Sequence, residues 1–287
     1  MKYATSCSCE TLAQILMKNT FKILFIFFSL GSYACDCELP NATLEFYKSE
    51  LVFEGEIISK IVHQDSLNYT IIFKIDKIYK GSNKSNNISF TFNYQKKGHY
   101  DSCYWEAREN QKWLIYAHNW KEKLTFDYNC SNSKPLDRRI IPKNEQNILD
   151  NGNSFKLENY FYNREQDFNY TKPISNIDSI LKNGKIKEYE KPFTWLKVYV
   201  DKEGNLNSVT TSFGYQFKTD SIFLLPSEFK IRLRKPLTEF EKDAIALIKK
   251  VKKWEIKKHK KTNIPVYYIQ HIAIEFDEVK KKWKYEL

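Results

Sequence analysis

Ala34-Cys35-Asp36-Cys37-Glu38 is the stretch on which the reading of this chain turns. Its Cys-x-Cys stands where a secretion signal would be cut, and two later cysteines, Cys103 and Cys130, are available to pair with it. Upstream, Phe21 to Leu30 (FKILFIFFSL) is an apolar run led by Lys18 and Lys22. It is followed by Gly31-Ser32-Tyr33-Ala34, with a small residue at the last and third-last positions. That is the pattern of a signal peptide, residues 1–34, cleaved before Cys35. The run is about ten residues long, too short to cross a bilayer core of about 30 Å as a helix. Met17-Lys18 makes an ordinary signal start, so residues 1–16, with Cys7 and Cys9, read as an upstream mis-start.

Removing the signal leaves four cysteines in a chain bound for an oxidising compartment, where paired cysteines are the expected state. The expected location is therefore secreted or periplasmic, with a free amine at Cys35. The competing reading is a lipid anchor at Cys35. Against it, Ser32 stands where a Leu-like residue is wanted, Tyr33 is bulky, and acylation would strand one of the other three thiols. The formal charge of +11 comes from 46 Lys and Arg against 35 acids. Because the lysines travel with abundant Asn, Ile, Phe and Tyr, as an AT-rich coding sequence gives, the charge alone names no partner. The 42% of hydrophobic residues suffices for packed cores.

Downstream of Pro40, Asn41 to Glu50 places Leu44 and Tyr47 on one helical face. The period then changes to two. Leu51 to Ile58, Thr70 to Tyr79, Ile88 to Tyr94, Lys112 to His118 and Lys123 to Asn129 are β-rich runs, punctuated by Lys80-Gly81-Ser82-Asn83 and Lys96-Lys97-Gly98. Ile88, Phe90, Phe92 and Tyr94 alternate without a break. Five short strands in about a hundred residues predict a five-stranded OB-type barrel over 35–135.

These residues carry a resemblance. The Cys-x-Cys at the processed terminus, the short helix, Leu51-Val52-Phe53-Glu54-Gly55, the strand ending Ile78-Tyr79-Lys80-Gly81 and the two distant cysteines are similar to the netrin-like domain of tissue inhibitors of metalloproteinases, in its bacterial secreted form. The resemblance implies disulfides joining Cys35 with Cys103 and Cys37 with Cys130. Closing such loops restricts the unfolded chain by about 4 to 5 kcal/mol each in the chain-entropy account. It also implies a mechanism: the α-amine and carbonyl of the first cysteine, here Cys35, chelate the catalytic zinc of a partner protease. With an ordinary pKa of about 7.7 to 8.0, an α-amine has a neutral fraction able to donate to a metal at neutral pH. The chain departs from the family at Asp36, where inhibitors present a small Ser or Thr to the enzyme's specificity pocket. An unpaired carboxylate entering an apolar pocket costs several kcal/mol. Cys35, Asp36 and Cys37 are thus the expected binding residues.

From Leu136 to Lys191 the signal weakens. Asp150-Asn151-Gly152-Asn153 and Asn183-Gly184-Lys185 are turn-rich, and Pro173 and Pro192 break any helix across them. A connector over 136–191 is expected, with a short helix at Glu145 to Leu149 and an aromatic stretch through Tyr160, Phe161, Tyr162 and Phe168. Beyond it, over 192–287, Trp195 to Asp201, the turn Asp201-Lys202-Glu203-Gly204-Asn205 and a strand at Ser208 to Phe213 predict a hairpin. The capping box Thr238-Glu239-Phe240-Glu241 opens a helix predicted to run from Glu239 to Lys253, and Val266 to Phe276 is read as the final strand. Val198-x-Val200-Asp201-x-x-Gly204, the helix ending at Lys253-Trp254, and Ile264-Pro265-Val266 leading to Ile272, Ile274 and Phe276 resemble the C-terminal domain of TonB-like proteins, with Thr219 to Pro236 inserted. The fold class expected is therefore mainly β plus α+β: a disulfide-clamped OB-type barrel followed by a small TonB-C-like domain. The sequence offers no membrane-spanning helix and no Pro-rich spacer, so the second domain reads as a binding or spacing module.

Lys249 to Lys261 (KKVKKWEIKKHKK) holds eight lysines around Trp254. A basic helix end suits an acidic envelope polymer or a membrane surface, with no specific nucleic acid expected; the plainer reading, which is preferred, is lysines on a solvated helix face and its following loop, with Trp254 in the core. The five histidines, His63, His99, His118, His259 and His271, show no ligand spacing, and the eight glycines form no phosphate loop. No metal site of its own, no cofactor and no catalytic residue is predicted. The leading function is a non-catalytic envelope binding protein; the alternative is a metalloprotease inhibitor acting through Cys35.

Overall fold

A computed structural model of the chain describes residues 37–64, 68–93, 105–137, 139–163, 165–232 and 235–287. Cys35, Asp36, Cys103 and the signal peptide lie outside the described residues. The chain divides into two compact units, Met1–Ile141 and Pro142–Leu287.

In the first unit, helix α1 (Ala42–Lys48) starts where Asn41 Oδ1 accepts from the backbone N–H groups of Thr43 at 3.0 Å and Leu44 at 3.3 Å, an ordinary N-cap. Strands β1 (Leu51–Val62), β2 (Asn68–Lys80), β3 (Asn87–Asn93), β4 (Lys112–Trp120) and β5 (Lys123–Thr125) form an antiparallel sheet in the order β3-β2-β1-β4-β5, with β6 (Lys134–Pro135) also on β4. Three register shifts along β1 coil it between its two neighbours. The concave face is aromatic: Phe53, Phe73, Phe90 and Phe126 pack with Trp113, and Phe126 lies 5.0 Å from Phe90 and 5.2 Å from Phe92, ring to ring.

Among the described residues this sheet is open rather than a closed barrel. β5 stops at Thr125, short of the expected Asn129, because Asp127 folds the chain over: its Oδ1 accepts from the N–H groups of Asn129 and Cys130, both at 2.8 Å. Rings, not backbone hydrogen bonds, bridge the gap between β3 and the end of β5.

The second unit starts earlier than the hairpin. Helix α2 (Lys143–Asn151), β7 (Phe161–Tyr162) and α3 (Ile177–Lys182) fall in the stretch expected as a connector. The first of them contains the short helix expected at Glu145 to Leu149; β7 pairs in parallel with the sheet at Tyr267 and Tyr268, and Ile177, Leu181 and Tyr189 belong to the unit's core. Ile177, Ile180 and Leu181 share one helical face, but over six residues the pattern is too short to stand out from the turn-rich sequence around it. The sheet itself contains β8 (Phe193–Val200), β9 (Leu206–Thr211), β12 (Tyr267–Asp277) and β13 (Lys282–Glu286), in the order β13-β12-β8-β9.

Alternation on β8 is the organising fact. Leu196, Val198 and Val200 face α4 (Glu239–Ile248) and the core. On the opposite face Tyr199 stacks on Phe229 at 3.8 Å, beneath the two-stranded sheet of β10 (Tyr215–Thr219) and β11 (Pro226–Ile231). The expected insertion is thus a lid on the second face, and β8 is buried on both from Leu196 to Val200, while Phe193 and Trp195 are exposed. The capping box is present, Thr238 Oγ1 accepting from Glu241 N at 3.1 Å and Glu241 from Thr238 N at 2.8 Å.

Two further expectations are corrected. Helix α4 ends at Ile248, not Lys253, because the backbone beyond it is claimed by the β8–β9 turn: Leu206 N donates to Lys252 O at 3.0 Å and Trp254 N to Gly204 O at 2.9 Å. β12 is not the final strand, since β13 follows and buries Trp283 against Phe240.

Candidate functional site

The N-terminal segment is held to the first sheet at three points. Cys37 is bonded to Cys130, with Cα atoms 5.7 Å apart across 93 residues of sequence. The loop that carries Cys130 is itself built: Ser131 Oγ donates to Asp127 O, Ser133 N donates to Ser131 Oγ at 2.9 Å, and Tyr116 N of β4 donates to Ser133 Oγ at 2.9 Å. From this loop Asn132 Nδ2 donates to Pro40 O at 2.9 Å and to Glu45 Oε2 at 2.6 Å, while Asn132 N donates to the same carboxylate oxygen at 2.8 Å. Burial pushes the Glu45 carboxyl up to about 7, overriding the lowering effect of the Asn132 donors and of Lys48.

The quoted Ile78-Tyr79-Lys80-Gly81 run fastens the other end of α1. Lys80 Nζ donates to Phe46 O at 2.8 Å and Tyr47 O at 2.6 Å, taking up carbonyls that the helix end leaves open. The Tyr79 hydroxyl donates to Glu54 on β1. Gly81 has φ +79°, and a Cβ there would sit 2.3 Å from Glu50 O, so only glycine fits. Within the run it is Lys80 that ties helix to sheet.

No family model matches this chain, and no curated protein does. Of those expected, the structure brings Cys37 and Cys130 together; the partner bond of Cys35 and the presentation of Asp36 lie outside the described residues. Sequence reasoning missed Glu45 and Asn132, which are 87 residues apart with no spacing rule to link them. Beside the Cys130 loop, Trp105, Trp113 and Tyr128 line a cleft of 400 Å³ with Arg108, Gln111 and Asp137 at its edge. The buried Trp113 Nε1 has no hydrogen-bond partner among the described residues.

The lysine stretch differs from the expected helix face. Residues 253–260 run extended beside 167–174: Ile174 N donates to Lys253 O, Glu255 N to Lys172 O and Lys260 N to Asp167 O. Trp254 is fully buried, its Nε1 donating to Val251 O at 3.1 Å. Lys257 and His259 are buried as well, whereas the other seven lysines are exposed. Among the described residues no three His, Cys, Asp or Glu side chains gather to hold a metal ion. No described helix is long and apolar enough to cross a membrane.

Proposed function

We propose that this chain is an exported, non-catalytic binding protein of a bacterial envelope, secreted or periplasmic, with a netrin-like first domain and a TonB-C-like second one. The observation that carries the reading is the clamp of residues 37–45 onto the 127–133 loop. Cys37 bonded to Cys130 is one of the two bridges the resemblance implies. The strand order β3-β2-β1-β4-β5 supports an OB-type barrel, which wants only β3 against β5 to close. A chain end fastened by a disulfide, a buried carboxylate and a lysine-capped helix is a rigid platform, and rigidity lowers the entropy lost on binding a protein partner. The aromatic cleft beside it offers such a partner a recessed surface.

Non-reducing peptide mapping, with intact-mass and N-terminal sequencing of exported protein, tests this reading. The expected result is a free amine at Cys35 and a Cys35–Cys103 bond beside Cys37–Cys130. An acyl group at Cys35 would make the chain a lipid-anchored one, and an uncleaved signal would remove the envelope from the proposal.

The clamp also favours a second reading, zinc-directed inhibition of a metalloprotease through the Cys35 amine and carbonyl, because Cys37 is fixed two residues away. Protein starting at Cys35 is to be compared with a version carrying one extra Ala before it, against a panel of zinc proteases. Inhibition lost with the added Ala supports the inhibitor. We expect none from the natural sequence toward enzymes with apolar pockets, since Asp36 would enter them charged, and recovery in Asp36→Thr.

A further inference from the structure

Within the second unit, Asn163 and residues 165–172, the extended run after α4 and the start of β12 line a cavity of 890 Å³. Lys257 is one of its walls, only 4% exposed. Its Nζ donates to Asn169 O at 3.2 Å and lies 5.5 Å from the centre of the Tyr268 ring. Among the described residues no carboxylate pairs with it. Glu165, on the same cavity, acts on it only from beyond ion-pair distance, and burial pulls the lysine below its ordinary pKa. A buried ammonium with one carbonyl acceptor is an arrangement that folds avoid unless something pairs with the charge.

The rest of the wall says what that something is. Lys172 and Lys260 line it as well, so three lysines share the wall with Glu165 and the terminal residue Leu287. Asn163 and Gln270 add amides, each with its NH2 engaged at His271, and Thr171 adds a buried hydroxyl, while the Asn169 amide is taken up by Tyr170 O, Ile256 O and Lys258 N. Amides and hydroxyls in a mixed array suit a ligand with several hydroxyl groups, and a cavity of this size is in the range that binds small molecules. We infer that this cavity binds a small hydroxyl-rich anion, a sugar bearing a carboxylate or a phosphate, with its charge against Lys257. The inference rests on the reading of the chain as a binding protein, but it uses none of the N-terminal segment.

Titration calorimetry on the full chain with glucuronate, glucose 6-phosphate, glucose and inorganic phosphate tests it and separates the two anion types. At least one of the charged sugars is expected to bind about ten-fold or more tighter than glucose and than phosphate. Lys257→Met is expected to weaken that binding by about ten-fold or more with Tm unchanged or raised, since the variant removes an unpaired buried charge. Gln270→Ala, a milder change, is expected to weaken sugar binding several-fold. Absence of binding by both charged sugars, or binding indifferent to both substitutions, overturns the site. Phosphate binding as tightly as glucose 6-phosphate overturns the sugar. Because the Cys35 map and the protease panel report on the first unit alone, their outcome and this one fail separately.

Discussion

Glu45 and Asn132 meet through one carboxylate oxygen that accepts from both the backbone N and the Nδ2 of the asparagine, at 2.8 and 2.6 Å. Burial of that carboxyl, which outweighs the pull of the Asn132 donors, makes the clamp sensitive to pH. Below about pH 4.5 the carboxyl is protonated in folded and unfolded chains alike; between about 4.5 and 7 the folded chain keeps a proton that the unfolded chain has lost. Stability therefore falls as pH rises through that window, by about 3 kcal/mol. Glu45→Gln keeps an acceptor for Asn132 and removes the titration. Urea unfolding from pH 4.5 to 8 should show the slope in the natural protein and its loss in the variant; equal slopes would disprove the account.

Asp243 has the opposite sign. Burial alone would raise it, but hydrogen bonds from Lys187 at 2.8 Å, Lys185 at 2.9 Å and Tyr189 at 3.0 Å hold its carboxyl down at about 2. The stabilisation is present above the unfolded value near 3.8 and is lost as pH falls through about 2. Asp243→Asn is expected to cost about 2 kcal/mol at neutral pH and nothing at the acid end of that window. A variant as stable as the parent at pH 7 would show that these contacts are idle.

Gly204 has φ +78°, and a Cβ there would lie 2.3 Å from Trp254 O. Gly204→Ala must strain the turn and push away the strip that carries Trp254. A loss of about 2 to 4 kcal/mol is expected, with a change in near-ultraviolet circular dichroism as the indole is disturbed. Retained stability and spectrum would mean that the turn yields without moving Trp254.

The unit boundary has a direct test. A fragment from Pro142 contains β7, α3 and the core residues Ile177 and Leu181, and no cysteine, so it should fold cooperatively without a disulfide. A fragment from Lys185 lacks them and leaves that part of the core and the Tyr267–Tyr268 edge bare. It should be unfolded or aggregate, as circular dichroism and sedimentation would report. Two-state unfolding of the shorter fragment would place 142–184 outside the folding unit.

The strands of the first sheet were legible because Phe90 and its neighbours keep an unbroken period of two. The capping box at Thr238 was legible because both of its partners lie within one turn. What escaped were the contacts made across the chain. Asn132 beneath Glu45, Tyr199 beneath Phe229 and Lys257 on its cavity are each set by tertiary packing, and a lysine in a run of eight carries no mark of being the buried one. Helix α4 shows the reverse error: Val251 continues the helical pattern, yet the hairpin turn takes the backbone that the pattern had assigned to the helix.

The strip from Lys253 to Lys260 joins partners up to 94 residues behind it, Lys172 to Glu255 and Gln166 to Lys260 among them. While the chain is being made, β8, β9 and α4 emerge with no Trp254 to lie over Gly204 and no β12 to pair with. Contacts so distant in sequence close slowly, because the loop entropy is lost before the packing is gained. The sheet of the second unit therefore stays open until β12 arrives, and a stop before that strand leaves behind a sheet with a bare edge rather than a smaller fold.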